Sequence, residues 1–274
     1  MNAARGKKTI VVEGQGDVRF LKQWIPESAI RAVASDGKDV VLDVLGIARR
    51  MKFTGLTCVV DLDFDAITNR LDTEQQDLIY VSYGKLPGGQ HTVLEAIDLD
   101  ALIIRSDALF KFMCIKGDID VTSTSITELR ERLRSVASVL GACRVIAMRY
   151  ARERVAQIYP LSNFRIDNAG VSLPDLSYQE DALIAKFFAQ IFVDRGPPTT
   201  LNDVKALLDR HSSGWALCRG HDLSSCLAFY LSSLGNRYVS VPEVEQGLKM
   251  AFEKRMLDSS VFGKLCIARN LLKL

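Results

Sequence analysis

Three acidic residues stand directly after short β-rich runs, where their side chains could do chemistry. Glu13 ends the run TIVVE, and Asp61 and Asp63 end the run LTCVVDLD. In an open parallel sheet, ligands bind beyond the carboxyl ends of the strands. If the two strands are neighbours, we expect the three carboxylates to converge at one edge, with Asp61 and Asp63 on one face because side chains alternate along a strand. Asp65 would extend the cluster if the chain stays extended.

Three carboxylates that converge at one edge of a sheet repel each other and are expected to bind a cation. Two of them within about 4 Å repel by roughly 1 kcal/mol in water and by about 4 kcal/mol at an effective dielectric constant of 20. Oxygen-only ligands suit Mg²⁺ or Mn²⁺ rather than Zn²⁺, and such ions commonly position phosphates. The pattern therefore predicts phosphoryl-transfer chemistry with one or two ions and with Glu13 as the general acid or base. The alternative is that Asp61 to Asp65 is a polar exit from the strand and that Glu13 only starts a turn.

The elements that must position these acids alternate in type. The helical patterns DVRFLKQWI and DVVLDVLGIARR lie between the first three of the strand-like runs TIVVE, AIRAVAS, LTCVVDLD and DLIYVSY. This alternation predicts βαβ units and a mainly parallel sheet flanked by helices. In the second helix the apolar residues recur at helical spacing and are expected to leave Lys38, Asp43 and Arg49 largely outside.

The turn VEGQGD between the first strand and the first helix has a defined chemistry. Gly14 and Gly16 permit a tight bend, and Asp17 can cap the helix that follows. A Walker loop is excluded because no GKS or GKT follows. A dinucleotide fingerprint is excluded because Phe20 occupies the place near which a third glycine is required.

After about residue 115 the sequence becomes mostly helical. Three Ser-x-x-Glu patterns predict helix starts, at Ser125, Ser177 and Ser240. Asp222 precedes the apolar run LSSCLAFYLSSL and is expected to be an N-cap. We therefore predict a catalytic α/β domain over residues 1–115 and a mostly helical domain over residues 116–274.

Composition excludes several other classes of protein. The 274 residues are 48% hydrophobic and 25% charged, as in ordinary globular domains, and the net charge of +2 creates no global field that favours nucleic acid or membrane. The six cysteines form no CxxC pair and no zinc-ligand spacing. With no signal-peptide core and no uncharged apolar stretch of 18 residues, a cytoplasmic protein without a membrane partner is expected.

One segment is locally basic. Between Glu128 and Arg154 there are seven arginines and three glutamates, with no Lys or Asp. Arginines spaced three or four residues apart on a helix can follow a phosphate backbone, with an affinity that falls with salt. The candidates for nucleic-acid binding are Arg130, Arg134, Arg149 and Arg152. The alternative is a solvated helix face on which arginines pair with neighbouring glutamates.

The residues also resemble a known family. VVEGQGDVRFLKQW, followed by SDGKDVVLDVL and CVVDLDFD, resembles a TOPRIM domain, whose signature is Glu-Gly and then Asp-x-Asp. More narrowly, the chain is similar to bacterial OLD-like TOPRIM proteins, including the effector subunit of PARIS anti-phage systems, which accompanies an ABC-type ATPase. HTVLEAIDL, VLGACRVIAMRYA and CRGHDLSSCLAF are similar too, so the resemblance spans nearly the whole chain.

The resemblance implies a TOPRIM-like (Rossmann-like) fold and a magnesium- or manganese-dependent nuclease that hydrolyses RNA, such as tRNA, or DNA. By position, Glu13 would be acid or base and ligand, and Asp61 and Asp63 would hold the metal ion. Asp17 matches an acid that often joins this site, although a helix cap explains it equally well. Glu95 is a further candidate ligand if a helix begins near the sheet edge there, and otherwise a surface acid. The chain carries neither a nucleophilic tyrosine module nor a zinc ribbon, which argues against a topoisomerase or a primase.

The resemblance also implies partners. The chain has no ATPase motif, so ATP hydrolysis would come from an ABC-type ATPase that holds a toxic anti-phage effector inactive until infection. The alternative is a non-catalytic subunit in which the TOPRIM fold serves as an interaction or regulatory surface. The apolar segment VFGKLCIARNLLKL fits a homodimer contact or core packing equally well.

Overall fold

The computed structural model describes residues 7–68, 70–71, 77–116, 122–194, 197, 199–211, 214–234 and 238–272. The chain divides into two compact units. The first, called here the sheet unit, combines residues up to Leu99 with residues from Phe252 onward, and the second, the helical unit, runs from Asp100 to Ala251. Residue 115, where the sequence changes character, lies inside the helical unit.

The sheet unit is built on a six-stranded sheet in the order β2-β1-β3-β4-β5-β6. Strands β1 to β4 are parallel to one another. At one side of the sheet, β5 pairs antiparallel with β4, and β6 pairs antiparallel with β5. The predicted mainly parallel sheet is thereby confirmed. The bounds are β1 Lys8–Val12, β2 Ile30–Ala34, β3 Leu56–Val60, β4 Leu78–Tyr80, β5 Tyr83–Lys85 and β6 Thr92–Leu94.

Helices of the sheet unit cover strands whose central residues are mostly apolar. Strand β1 buries its last three residues, Ile10 to Val12, and β3 buries every residue except Thr57, as expected where both faces of a parallel sheet are covered. The helices are α1 Gln15–Lys22, α2 Lys38–Arg50, α3 Asp65–Thr68, α11 Lys254–Ser259 and α12 Val261–Ala268. Helix α12 packs on β4 and β5 and buries Val261, Phe262 and Cys266 there. Core packing therefore accounts for the apolar face of the segment that the sequence offered as a dimer contact.

The helical unit is organised around one long helix, which confirms the predicted helical C-terminal part. Helix α6 packs against α7, α8 and α9, and α10 packs against α5 and α9. The bounds are α4 Leu99–Arg105, α5 Ala108–Lys116, α6 Ser123–Arg152, α7 Glu180–Ile191, α8 Thr200–His211, α9 Gly220–Leu234 and α10 Val241–Ala251. Among the described helices, none is both long enough and apolar enough to cross a lipid bilayer.

The three predicted helix starts have different outcomes. Ser240 is confirmed, because its hydroxyl accepts the N–H of Glu243 in the first turn of α10. Ser125 is not the first cap of α6, because Thr122 caps this helix and Ser125 reaches back to it from the first turn. Ser177 does not cap α7, which begins at Glu180 without any side-chain cap. The spacing thus located the helices to within a few residues but identified only one of the three caps, Ser240.

A buried ion pair replaces the N-cap predicted at Asp222. Asp222 lies inside α9, and its carboxylate accepts two hydrogen bonds from Arg144 of α6, at 2.7 Å from Nε and 2.6 Å from Nη2. The guanidinium also lies 5.9 and 5.7 Å from the ring centres of Phe164 and Phe187. Both charged side chains are almost fully buried, so this pair joins α6 to α9 and has no access to a substrate.

Candidate functional site

Glu13 and Asp61 lie side by side at the carboxyl ends of neighbouring strands. Strands β1 and β3 pair in parallel with Val11 opposite Cys58, as the convergence of the acids requires. The register brings the end of β1 next to the end of β3, and the backbone N–H of Asp61 donates to Oε1 of Glu13 at 2.7 Å. The Glu13 carboxylate is therefore held against β3 by a hydrogen bond that depends on the strand pairing.

The environment of Glu13 keeps its proton near neutral pH. Burial is the main cause and raises its pKa to about 7, and the negative charges of Asp63 and Asp17 act in the same direction. The hydrogen bond from Asp61 and the charge of Lys38 lower the pKa but do not cancel the effect of burial. The carboxylate borders a small pocket that is mostly apolar, with walls that include Phe20, Val81 and Phe262. A carboxyl group with this pKa can both accept and donate a proton at physiological pH.

Asp61 is the second acid of this pair and borders the same pocket. Its Oδ1 accepts the backbone N–H of Leu99 at 3.1 Å. Burial raises its pKa well above the usual range, and the negative charges of Asp98 and Glu13 add to this effect. Asp98 is itself buried and was not among the residues singled out from the sequence, since it stands before a helix rather than after a recognised strand.

Asp17 caps its own helix, one of the two predicted roles. Its Oδ2 accepts the backbone N–H of Gly14 at 3.0 Å, at the start of α1. Its charge also raises the pKa of Glu13 and of Asp61. Asp17 therefore contributes negative charge to the site whether or not it contacts an ion.

Asp63 does not share a strand face with Asp61. Strand β3 ends at Val60, and the chain then turns, with a φ angle of 51° at Asp63. The expected alternation along an extended strand is therefore wrong beyond Asp61. Asp65 begins the short helix α3 instead of continuing a strand, and this turn directs both Asp63 and Asp65 to the same lysine.

That lysine is Lys38, which the helix periodicity placed on the outside of α2. The structure overturns this expectation, because the Lys38 side chain is only 16% exposed and its Nζ lies 3.2 Å from Asp63 Oδ2 and 2.6 Å from Asp65 Oδ2. Burial lowers the pKa of Lys38, but the two carboxylates more than offset this and the pKa is raised. Lys38 is the first residue of α2 and lies near the carboxyl ends of the strands. At the first residue of a helix, the spacing of apolar residues does not predict the direction of the side chain.

Glu95 follows β6, the last strand in the sheet order, and so lies far along the sheet from β1 and β3. It follows β6 rather than starting the expected helix, and its Oε2 accepts the backbone N–H of Val261 at the start of α12 at 2.8 Å. Three strand spacings, roughly 14 Å, separate β6 from β3. Glu95 therefore secures α12, and the described contacts do not bring it to Glu13.

The four candidate arginines lie on two separate parts of α6. Arg130 donates to the carbonyl oxygen of Ser106, Arg134 pairs with Glu131, and Arg149 pairs with Asp203. Arg152 is exposed. The stretch between Arg134 and Arg149 is mostly buried and about 22 Å long, so the arginines do not form one continuous track along the helix.

The donor chemistry at the strand ends fits an oxygen-preferring divalent ion. Within the residues that the structure describes, no set of three or more His, Cys, Asp or Glu side chains converges as a ready metal site. Mg²⁺, however, is usually held by one or two carboxylates and keeps several waters. Burial, together with neighbouring acids, raises the pKa values of Glu13 and Asp61, and a divalent cation at this pair would favour their ionised forms.

Comparison with known proteins does not assign the chain to a family. No protein-family profile matches the chain, and no curated protein is significantly similar to it in sequence. The geometry alone therefore describes the molecule as an α/β domain with a mostly parallel six-stranded sheet, followed by a helical C-terminal region.

Proposed function

We propose that this protein is a metal-dependent nuclease that hydrolyses phosphodiester bonds. The observation that carries the proposal is the Glu13–Asp61 pair at the carboxyl ends of β1 and β3, where Glu13 has a pKa of about 7 and is fixed by the Asp61 N–H. Two carboxylates, one of them poised to transfer protons at neutral pH, are the minimum that metal-assisted phosphodiester hydrolysis needs.

Each residue has a separate role in this proposal. Glu13 takes the proton from the attacking water and returns a proton to the leaving oxygen, and Glu13 and Asp61 together hold Mg²⁺ or Mn²⁺. When bound, such an ion polarises the phosphate and lowers the pKa of a bound water. The apolar walls of the pocket exclude bulk water from the inner side of the pair, and burial there raises the pKa of Glu13 to about 7 before an ion binds.

The biological setting rests on the TOPRIM resemblance. Glu13, Asp61 and Asp63 stand in the order Glu-Gly, then Asp-x-Asp, and the sheet order supports a Rossmann-like fold. We infer that the chain is an OLD-like TOPRIM effector of anti-phage defence, cytoplasmic and held inactive by an ABC-type ATPase. RNA, such as tRNA, and DNA are both candidate substrates, and a homodimer is a further proposal.

The proposal is tested by cleavage assays on the purified full-length chain. Plasmid, single-stranded DNA and total tRNA are incubated with Mg²⁺ or Mn²⁺, or with a chelator, and the assays are repeated with the ATPase partner from the same operon. We expect metal-dependent cleavage by the wild type and a loss of at least about 100-fold in Glu13→Gln and Asp61→Asn. Both substitutions keep an oxygen that can accept the backbone hydrogen bond at each position, so the fold is retained.

The matched control is Asp43→Asn, which makes the same change at an exposed position of α2 in the same unit. It should cleave like the wild type. One observation favours the alternative, a non-catalytic interaction subunit: Asp63 and Asp65 are already paired with Lys38. Cleavage that persists in folded Asp61→Asn protein, or no cleavage with the partner present, would replace the nuclease proposal with that alternative.

A further inference from the structure

The Lys38 ammonium sits in a nest of four oxygen atoms. Besides the carboxylates of Asp63 and Asp65, the main-chain carbonyl oxygens of Asp61 and Leu62 accept from Nζ at 2.6 and 3.2 Å. Two carbonyl oxygens and two carboxylates form a ligand set of the type that a hard divalent ion takes. In this protein a side chain fills the position.

The surroundings hold the ammonium in place. The Lys38 side chain is largely buried, and the ring centre of Tyr80 on β4 lies 5.8 Å from Nζ. Moving the ammonium out would break its contacts with Asp63 and Asp65 and would remove a charged donor from the carbonyl oxygens of Asp61 and Leu62. The turn that brings Asp63 and Asp65 together, with its φ of 51° at Asp63, is built around this contact.

The oxygen atoms around Lys38 and the Glu13–Asp61 pair have one residue in common, Asp61. The carbonyl oxygen of Asp61 faces Lys38, while its N–H faces Glu13 and its side chain faces Leu99. A nuclease that uses two divalent ions needs cations at two positions about 3.5–4 Å apart. Here the position surrounded by the four oxygen atoms already carries a fixed positive charge.

We propose that Lys38 is the permanent cation of this four-oxygen position, so that the strand-end site takes one divalent ion rather than two. The inference rests on the proposed function and deepens it. Lys38 acts as a positioning residue: it fixes Asp63, Asp65 and the turn after β3, and it holds a fixed positive charge at the position that a second ion would otherwise occupy. The single ion then belongs to the Glu13–Asp61 side.

The test counts bound Mn²⁺, by electron paramagnetic resonance and by calorimetry, and does not depend on activity. The full-length wild type should bind one Mn²⁺ per chain. Lys38→Met removes the charge at nearly constant length and should raise the count to two, because Asp63, Asp65 and the two carbonyl oxygens are left without a cation. Lys38→Arg, which keeps the charge, and Lys22→Met, at an exposed position of α1, should both stay at one.

The outcomes separate this inference from the proposed function. A wild-type count of two, or a Lys38→Met count that stays at one, overturns the inference and leaves the metal-dependent nuclease intact. A count of zero in every protein overturns both. If Lys38→Met does not fold, the wild-type count decides, with one ion in support and two against.

Discussion

Glu13 carries a conflict between function and stability. In the proposed mechanism its carboxyl group carries protons near neutral pH because it is partly buried beside an apolar pocket and near other acids. The same surroundings make the ionised form costly in the folded protein. Because an unfolded chain solvates that charge freely, ionisation of Glu13 favours unfolding.

This conflict predicts a pH dependence of stability. In the unfolded chain Glu13 loses its proton near pH 4.5, and in the folded chain near pH 7. Between these values the folded state binds more protons, so its free energy of unfolding falls as the pH rises. Glu13→Gln removes this loss, and at pH 8 it should be more stable than the wild type by roughly 1–3 kcal/mol, with little difference at pH 4.5. Urea denaturation in chelator across this pH range measures the effect.

Glu27→Gln is the control for that measurement. Glu27 is exposed in the same unit, so the same chemical change there should give a difference from the wild type that does not vary with pH. A Glu13→Gln difference that is equally flat would show that Glu13 ionises normally in the folded chain.

At the level of single residues, the sequence predicted the acids better than their surroundings. Glu13 and Asp61 could be placed together because strand ends and parallel pairing are visible in the run of apolar residues. Lys38 and Asp98 could not be placed, because each stands at a helix start where the direction of the side chain depends on the turn before it. The role of Asp63 was missed for a related reason, since the end of β3 at Val60 is not visible within the run LTCVVDLD.

Among the elements, α6 makes one of the closest backbone approaches in the described part of the chain. Gly141 lies in its buried middle, and a Cβ atom at this position would lie 1.8 Å from the carbonyl oxygen of Leu217. The backbone before α9 therefore approaches α6 at a distance that only glycine permits. Sequence periodicity predicted the helix but not this close approach. An isolated glycine in a helical pattern does not indicate which distant residue will pack against it.

Gly141→Ala should accordingly destabilise the helical unit by about 3 kcal/mol or more, because a main-chain oxygen must move to admit the methyl group. Gly46→Ala is the matched change in α2, where the nearest atom to the added Cβ is the flexible Arg50 side chain at 3.6 Å. That substitution should stabilise the protein by about 0.5–1 kcal/mol, since alanine favours a helix over glycine. Thermal and urea unfolding of both variants would show the contrast, and equal effects would contradict the close packing at Leu217.

For the whole molecule, the decisive feature is that the sheet unit is made from two distant parts of the chain. Helices α11 and α12 return to a sheet that residues before Leu99 have already formed. Alternation of strands and helices predicted the sheet, but helical pattern alone could not assign α12 to it. Only its buried contacts with β4 and β5 do so.

Phe262 of α12 is expected to be a major support of the sheet unit. It is 1% exposed and borders the same pocket as Glu13. Phe262→Ala should lower the free energy of unfolding by about 3–5 kcal/mol and speed hydrogen exchange in β1 and β3. Phe53→Ala, at a site that is 59% exposed, should cost less than about 1 kcal/mol. Similar losses for the two variants would mean that α12 does not belong to the core of the sheet.

The divided sheet unit also has a consequence for synthesis on the ribosome. Roughly 150 residues separate its two parts. At a translation rate of about 5–20 residues per second, α12 is synthesised about 10–30 s after the strands. During that interval the nascent chain already carries Glu13 and Asp61 but lacks Phe262, one wall of their pocket. A polypeptide that terminates before α12 therefore contains every acid of the site without one wall of the pocket beside Glu13, and the synthesis of α12 is what completes that pocket.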